Sequence, residues 1–188
     1  YPLALPIRPG KDSKEVYDFV EGLADSSKVL LSCEYGPSTK PEIHPMVTSL
    51  LHHLFSLDRG HKVYVVCLWP GNEAVVKGIV SDLRKLYTID AKGTKIENIP
   101  MMEGINRFED FDFLFSGSAG YPGTTEWVQF AADPTSVPMS TGTTSIQVNE
   151  MMPYVLGGQI KGILAGMPGA AEYEELIGVK GIGTSGMD

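Results

Sequence analysis

One stretch of the sequence decides the fold: Phe111-Asp-Phe-Leu-Phe-Ser-Gly-Ser-Ala-Gly-Tyr-Pro-Gly-Thr-Thr-Glu-Trp-Val-Gln-Phe130. It opens with a short apolar and aromatic run, over 111–115, of the kind that forms a strand buried on both faces. The glycines, serines and proline that follow are typical of a turn. Over 124–131 the apolar residues take the spacing of a helix. A strand that leads through a turn into a helix is the repeating unit of an α/β fold.

The same alternation of strand and helix continues in both directions along the chain. Four further segments have the composition of buried strands, at 28–33, 62–68, 137–139 and 160–165. Helical spacing occurs at 13–24, 41–57, 72–87, 146–156 and 170–177. Together these segments predict a three-layer α/β/α sandwich with a mainly parallel sheet of about five strands, either Rossmann-like or flavodoxin-like. The region 91–110 fits the alternation least and could hold a short strand or a loop.

The charge of the chain argues against two classes of partner. The 188 residues include 15 Lys and Arg against 23 Asp and Glu, which gives a formal charge of −8. Because the basic residues are outnumbered and scattered, we expect neither a nucleic-acid-binding face nor a basic patch for a membrane surface. The longest apolar run, 63–69, is also far shorter than the roughly 18 residues of a membrane span.

Length and composition predict one domain, over 12–177. The prolines of 1–11 exclude a helix, and we expect this segment to be an extended arm. The glycines of 178–188 indicate a flexible exit segment. Because the chain begins at Tyr1 and not at a methionine, we expect these two ends to belong to a longer protein.

Polar and glycine residues follow the predicted strands, where a site is expected. In an open parallel sheet, ligands bind beyond the carboxyl ends of the strands. Hydroxyl groups, glycines and helix N-termini at that edge can together form a cavity for an anion. No phosphate-binding or dinucleotide-binding motif is formed there, so position alone supports the site. The candidate ligand-binding residues are Glu34, Ser38, Thr39, Ser116, Gly117, Ser118, Gly120, Thr141, Gly142 and Thr143.

Three of the predicted turns contain Pro-Gly followed by a glutamate, at 70–73, 122–126 and 168–172. Proline and glycine favour a tight turn, and an acid in the first helical turn faces the positive end of the helix dipole. Since such turns are common in α/β proteins, we favour a structural role for Glu73, Glu126 and Glu172 over ligand binding.

Patterns typical of catalysis are weaker. The stretch Gly117-Ser118-Ala119-Gly120 falls one residue short of the GxSxG nucleophile elbow. His44 is the histidine placed nearest the crevice, and with Ser38 and Glu34 it could form a Ser/His/Glu arrangement. Catalytic residues therefore stay unassigned. Convergence of Glu34, His44 and Ser118 would favour an enzyme.

The remaining reactive side chains have simpler explanations. His52 and His53 are adjacent and point about 100° apart on a helix, so they cannot share a metal, and we expect them on the helix surface. Cys33 and Cys67 lie in apolar runs and lack the spacing of a zinc site. We therefore predict no metal and no cofactor.

Two stretches resemble a family of uncharacterised bacterial proteins: 111–130, quoted above, and Gly158-Gln-Ile-Lys-Gly-Ile-Leu-Ala-Gly-Met-Pro-Gly-Ala-Ala-Glu-Tyr-Glu174. The likeness covers residues 28–188. It implies a single α/β domain flanked by membrane-spanning helices, and it carries over no catalytic residue because the family has no established activity. The sequence departs from the family in one place. The family has a longer insert, with another short strand, between the equivalents of 68–69 and 70–71.

Three functional hypotheses follow. The first is a ligand-sensing or protein-interaction domain, tethered to a membrane through segments outside this chain, on a side of the membrane that the sequence does not specify. The second is an enzyme that acts on an anionic or phosphorylated small molecule, with Glu34 or His44 as general base. The third is one lobe of a periplasmic-type solute-binding protein. A small anionic ligand or a protein is the expected partner.

Overall fold

Five parallel strands form the sheet at the centre of the computed structural model, which describes residues 7–70, 72–86 and 104–178. In chain order they are β1 (Lys28–Glu34), β2 (Lys62–Val66), β3 (Phe113–Ser118), β4 (Met139–Thr143) and β5 (Ile160–Ala165). Their order across the sheet is β2-β1-β3-β4-β5. This is the flavodoxin-like order, in which the direction of winding reverses between β1 and β3.

Helices cover both faces of the sheet. They are α1 (Lys11–Glu21), α2 (Lys40–Ser56), α3 (Glu73–Leu86), α4 (Thr124–Trp127), α5 (Asp133–Thr135), α6 (Val148–Leu156) and α7 (Gly166–Leu176). A π-helical turn, Val128–Ala132, joins α4 to α5, and a 3-10 helix, Phe108–Asp110, precedes β3. The predicted α/β/α sandwich is therefore confirmed. Residues 91–103 lie outside the described ranges. They form most of the segment 91–110, which fits the predicted alternation of strands and helices least.

The alternation of side chains along the strands divides the core into two layers. Val29 and Phe115 contribute to the layer that includes buried residues of α1, α2, α3 and α7. Leu30 and Leu114 contribute to the other layer, with buried residues of the π-helical turn and α6. Within the described ranges, no helix is long and apolar enough to cross a membrane.

Strands β3 and β4 extend further than the sequence predicts. We expected turns from residue 116 and from residue 140, but 116–118 and 140–143 belong to the strands. The register pairs Ser116 with Thr141 and Ser118 with Thr143. Because small hydroxyl side chains replace apolar ones in these halves, the apolar run that marks each strand ends before the strand does.

Gly117 and Gly142 allow α2 to lie close against the sheet. A Cβ atom at Gly117 would lie 2.6 Å from Cγ2 of Val47, and one at Gly142 would lie 2.8 Å from Sδ of Met46. Both distances are shorter than carbon atoms tolerate without a shift of the backbone or the side chain. The space beside each glycine is filled by α2, so packing requires glycine at both positions. Their approach to a ligand stays a prediction.

The second Pro-Gly motif forms the predicted turn. Glu126 lies in the first turn of α4, and its carboxylate accepts a hydrogen bond of 2.6 Å from the backbone N–H of Gly123. A Cβ atom at Gly123 would overlap the hydroxyl of Ser118, so the close turn requires glycine. The first motif includes residue 71, which lies outside the described ranges.

The third Pro-Gly motif does not form a turn, because α7 begins at Gly166 and contains the whole motif. Glu172 therefore lies inside its helix and binds the start of α1 instead. Its Oε2 accepts hydrogen bonds from the backbone N–H of Gly10 at 3.0 Å and from Ser13 Oγ at 2.7 Å. Gly10 is the N-cap of α1, and its backbone N–H is bound by Glu172.

His53 is buried, not exposed on the helix surface as predicted. Only 2 % of the residue is accessible. Its Nδ1 lies 2.8 Å from the hydroxyl of Tyr173, its Nε2 lies 3.2 Å from Oε1 of Glu21, and its ring stacks on Tyr17 at 4.9 Å. Because Glu21 belongs to α1, His53 to α2 and Tyr173 to α7, this network joins three helices on one face of the sheet.

We expect Gly117→Ala to lower the free energy of unfolding by about 1 to 3 kcal/mol, because the added methyl group overlaps Val47. Urea denaturation followed by circular dichroism measures the change. Gly78→Ala is the matched control, since a Cβ atom at Gly78 in α3 would meet no atom within 4 Å and alanine favours a helix. Equal losses in the two variants would contradict the role of Gly117 in packing.

We expect His53 to make the protein less stable as the pH falls. Burial lowers the pKa of His53 below its ordinary 6.5, although the hydrogen bond to Glu21 opposes this effect. Because the pKa of His53 is lower in the folded state than in the unfolded state, its contribution to the free energy of unfolding is complete above about pH 6.5 and is lost as the pH falls below this value. The unaltered protein should therefore exceed His53→Gln in unfolding free energy by less at about pH 5 than at about pH 7.5. His52→Gln is the control, and a constant difference over this range would refute the assignment.

Candidate functional site

Two rows of buried polar side chains cross the carboxyl halves of β1, β3 and β4. The strand register places the six residues as neighbours on the face of the sheet that α4 covers. None is more than 2 % exposed. The inner row consists of Ser32, Ser116 and Thr141, and the outer row consists of Glu34, Ser118 and Thr143.

The inner row is satisfied by hydrogen bonds to α4. Thr124 Oγ1 lies 3.1 Å from Ser116 Oγ and 2.8 Å from Thr141 Oγ1, and Thr141 Oγ1 donates to the carbonyl of Ser116 at 2.8 Å. The indole N–H of Trp127 donates to Ser32 Oγ at 2.8 Å. Since each hydroxyl in this row has a partner, the row anchors the helix to the sheet.

The outer row contains a carboxyl group that is only half satisfied. Glu34 is 0 % exposed. Its Oε1 accepts hydrogen bonds from Ser32 Oγ and, at 3.2 Å, from the backbone N–H of Leu68. Its Oε2 has no hydrogen-bond partner among the described residues. Burial raises the pKa of Glu34 to about 7, against the lowering effect of the hydrogen bonds from Ser32 and Leu68.

A tight loop over residues 119–123 closes over the end of β3. The N–H of Ala119 donates to the carbonyl of Glu34 at 2.8 Å, and Ser118 Oγ donates to the carbonyl of Gly120 at 3.0 Å. Trp69 packs against Gly120, and its indole N–H donates to the carbonyl of Pro122 at 2.7 Å. Gly120 and Tyr121 of this loop form one wall of the neighbouring cleft.

The cleft lies at the carboxyl ends of β3 and β4 and is small, with a volume of about 10 Å³, which is room for about one water molecule. Its floor is formed by buried residues and its walls by half-buried or exposed ones. The lining residues are Ser118, Gly120, Tyr121, Thr124, Thr125, Thr143, Gln147 and Met151. Of the residues predicted from the sequence, Ser118, Gly120 and Thr143 line this cleft.

The other predicted site residues have different surroundings. Ser116 and Thr141 belong to the satisfied inner row, and the backbone of 116–118 is paired within the sheet. Ser38 is exposed in the turn before α2, and Thr39 donates to the carbonyl of Gly36 at 3.3 Å. The expected cavity of free amides and hydroxyls is therefore not formed by 116–118, because a strand amide already has a partner.

His44 does not join Glu34 and Ser118 through hydrogen bonds in the described structure. Its Nδ1 lies 3.0 Å from the hydroxyl of Tyr35, and burial lowers its pKa. Glu34 is bonded to Ser32 and Leu68, and Ser118 is bonded to Gly120. The convergence of Glu34, His44 and Ser118 that would favour an enzyme is absent from these contacts. No group of three or more His, Cys, Asp and Glu side chains that could hold a metal ion occurs within the described ranges.

Carboxylates surround the mouth of the cleft. The hydroxyl of Tyr121 donates to Glu150 Oε2 at 3.2 Å, and the charge of Glu150, followed by this hydrogen bond, raises the pKa of Tyr121. Glu126 adds to the rise in the pKa of Tyr121 and also to that of Glu34. None of the lining residues carries a positive charge. The charged groups that act on Tyr121 and Glu34 here are therefore negative, and the expected anionic ligand stays a prediction.

The sequence missed five of the eight lining residues: Tyr121, Thr124, Thr125, Gln147 and Met151. Thr124, Gln147 and Met151 were assigned to predicted helices and were interpreted as helix residues. The available signal was positional, because each follows the carboxyl end of β3 or β4 by a few residues.

No protein-family model, no curated protein and no solved structure matches the chain. The function is therefore argued from the geometry of the site.

We expect Glu34→Gln to stabilise the protein at alkaline pH. The pKa of the Glu34 carboxyl group rises on folding from 4.5 to about 7. The contribution of this group to the free energy of unfolding is therefore complete below pH 4.5 and is lost as the pH rises through about 7. Ionisation of Glu34 should cost up to about 3 kcal/mol at pH 8, and glutamine avoids this cost. Urea denaturation at several pH values measures the difference between the protein and the variant.

The matched control is Glu109→Gln, which removes one negative charge from an exposed position. It should shift the unfolding free energy little at any pH. If Glu34→Gln is no more stable than the protein at pH 8, or if its advantage does not grow between about pH 4.5 and about pH 8, the carboxyl group of Glu34 is not held in a buried, unpaired state.

Proposed function

We propose that this protein is a ligand-binding domain without catalytic activity, and that its site is the cleft at the carboxyl ends of β3 and β4. One observation carries the proposal. Ser118 pairs with Glu34 across the boundary between β1 and β3, and it also lines the cleft. In the β2-β1-β3-β4-β5 order, this boundary is the point at which α/β proteins bind their ligands.

The contrast between the two polar rows supports binding over a purely structural role. A row that only anchors a helix needs every group to be satisfied, and the inner row meets this requirement through Thr124 and Trp127. In the outer row, Oε2 of Glu34 has no described partner. Burying an unpaired carboxyl oxygen is costly, and such groups concentrate at functional sites.

The hypothesis of an enzyme has one point in its favour, the raised pKa of Glu34, which suits a general base. A general base must also reach its substrate, and Glu34 is 0 % exposed. The second candidate base, His44, is bonded to Tyr35. A binding domain therefore agrees better with these contacts than an enzyme does.

Attachment to a membrane is a second part of the proposal. It rests on the resemblance of residues 111–130 and 158–174 to a membrane-anchored family, and the anchoring segments would lie outside this chain. In such a protein the ligand-binding domain would act as a sensor.

We expect small molecules that bind this domain to shift the amide resonances of 118–121 and 143–147 in ¹H–¹⁵N spectra. The screen comprises nucleotides, sugar phosphates, dicarboxylates, amino acids and neutral sugars, each added to the full chain. Gln147→Ala should abolish the shifts, because Gln147 lines the cleft and is only half buried.

Lys161→Ala is the control for this screen. Lys161 lines a separate cleft at the amino ends of β4 and β5, on the opposite edge of the sheet. It should leave every ligand-induced shift unchanged. If no compound shifts 118–121 and 143–147, or if all shifts fall around Lys161, the proposed site is wrong.

A further inference from the structure

We infer that the carboxyl edge of the sheet docks a protein segment that combines apolar residues with lysine or arginine. The inference goes beyond the proposed function, because it concerns the exposed surface around the cleft and needs no small molecule inside it. Three observations support it: the position of the exposed apolar side chains, the contacts between the loops that carry them, and the charges that surround them.

Exposed apolar side chains concentrate at this edge. Seven large apolar side chains are exposed within the described ranges, and four of them follow the carboxyl ends of strands. They are Leu68 (39 %) after β2, Tyr121 (62 %) after β3, Ile146 (87 %) after β4 and Met167 (60 %) after β5. We call these four side chains the edge surface. Single exposed apolar residues are ordinary, but a connected group of them marks an interaction site.

The loops after β2 and β3 touch each other and reach α6. Trp69, the neighbour of Leu68, donates its indole N–H to the carbonyl of Pro122 at 2.7 Å. Tyr121, the neighbour of Pro122, donates its hydroxyl proton to Oε2 of Glu150 at 3.2 Å. Since Glu150 lies in the first turn of α6, these contacts connect the loop after β2 to the helix that follows β4.

The loop after β4 touches the start of α7. A Cβ atom at Gly166, the residue before Met167, would overlap Oγ of Ser145, the residue before Ile146. The edge surface is therefore connected from β2 to β5.

The shape of this edge suits a protein segment better than a small molecule. Neighbouring strands lie about 4.8 Å apart, so the four spacings from β2 to β5 give a width of about 19 Å. An extended segment of about six residues crosses this width. The cleft within the edge has room for only about one water molecule. Contact over a broad, shallow surface is typical of protein interfaces.

Carboxylates lie beside the apolar side chains. Oε2 of Glu150 accepts the hydrogen bond from Tyr121. Oε2 of Glu42 accepts hydrogen bonds from the N–H of Ser145 at 2.9 Å and from its hydroxyl at 3.0 Å. Because Ser145 precedes Ile146, one negative group is held near each side of the loop after β4.

Basic residues are absent from the part of the chain that forms this region. The sequence over 108–160 contains six Asp and Glu and no Lys, Arg or His. The two basic groups that follow β1, Lys40 and His44, lie towards α3. There they add to the effect of a hydrogen bond from Lys85 in lowering the pKa of Asp82. The charges around the edge surface therefore complement a basic partner, and they oppose an acidic segment or an anionic membrane.

Selection from a random peptide library tests the inference. Phage-displayed peptides of about twelve residues, which exceed the width of the edge when extended, are selected on the full chain. We expect the enriched peptides to combine apolar residues with Lys or Arg. When one is synthesised and titrated, the amide resonances of 68–69, 119–121, 145–147 and 166–167 should shift. Its affinity should fall as salt is added.

Two variants test the apolar contacts. Ile146→Ser and Met167→Ser should each weaken binding of the enriched peptide by about fivefold or more, because each removes an apolar side chain from the interface. Leu156→Ser is the matched control, since Leu156 is 82 % exposed but lies at the end of α6, near the amino end of β5. All three side chains are exposed, so the variants are expected to fold, and their spectra without peptide check this.

A third variant tests the charges. Glu150→Gln should weaken binding about threefold and reduce the dependence of the affinity on salt. Glu109→Gln removes the same charge from an exposed position in the 3-10 helix before β3 and should have neither effect. Equal losses in the two variants would mean that the net charge of the chain attracts the peptide, and the inference would be wrong.

Other results would also overturn the inference. These are enrichment of no peptide, enrichment of acidic or purely polar peptides, shifts that fall elsewhere, and unchanged affinity in both Ile146→Ser and Met167→Ser. Occupation of the edge by a second copy would appear as self-association in sedimentation velocity that Ile146→Ser or Met167→Ser abolishes. Occupation by a membrane would appear as binding to vesicles of phosphatidylcholine and phosphatidylserine. Either finding would exclude the basic segment as the occupant.

The outcomes separate this inference from the proposed function. If small molecules shift 118–121 and 143–147 but no peptide binds, the proposed function stands and this inference is wrong. If an enriched peptide binds at the edge surface and no small molecule does, the inference stands and the cleft is not a small-molecule site. If neither binds, both proposals are wrong.

Discussion

The rest of the structure depends on the hydroxyl group of Thr124, which lies within hydrogen-bond distance of both Ser116 and Thr141. Ser116 and Thr141 can be buried on this face of β3 and β4 because α4 supplies this partner. On the opposite face, the same strand segments carry Gly117 and Gly142, against which α2 packs closely. In β3 and β4, polar side chains therefore face α4 and glycines face α2. Both contacts fix the positions of the strand ends that form the cleft.

The outer row lies one pleat further along the strands, on the same face of the sheet. Ser118 bonds to Gly120 of the loop 119–123, Thr143 bonds to Gln147, and both residues line the cleft. Glu34 is buried, and one of its carboxyl oxygens has no hydrogen-bond partner among the described residues. The rows change from satisfied to partly satisfied over two residues of each strand, where the strands reach the cleft.

Two buried titratable groups respond to pH in opposite directions. His53 is held neutral by burial and favours folding above its ordinary pKa, whereas Glu34 is held neutral by burial and favours folding below about pH 7. They lie on opposite faces of the sheet, His53 in the network with Glu21 and Tyr173 and Glu34 in the polar row. These two contributions to stability therefore change with pH in opposite directions, and single variants are needed to separate them.

The sequence by itself determined the alternation of strands and helices, because apolar runs such as 28–33 and 160–165 report burial locally. It also placed Ser118, Gly120 and Thr143 at the site, because parallel strands bring their carboxyl ends to one edge. Only the tertiary structure decided the partners: Glu172 binds α1, His53 binds α7, and Gly117 and Gly142 face α2. These contacts join residues far apart in the chain, and a sequence pattern records the spacing along one element but not the atoms that another element brings against it.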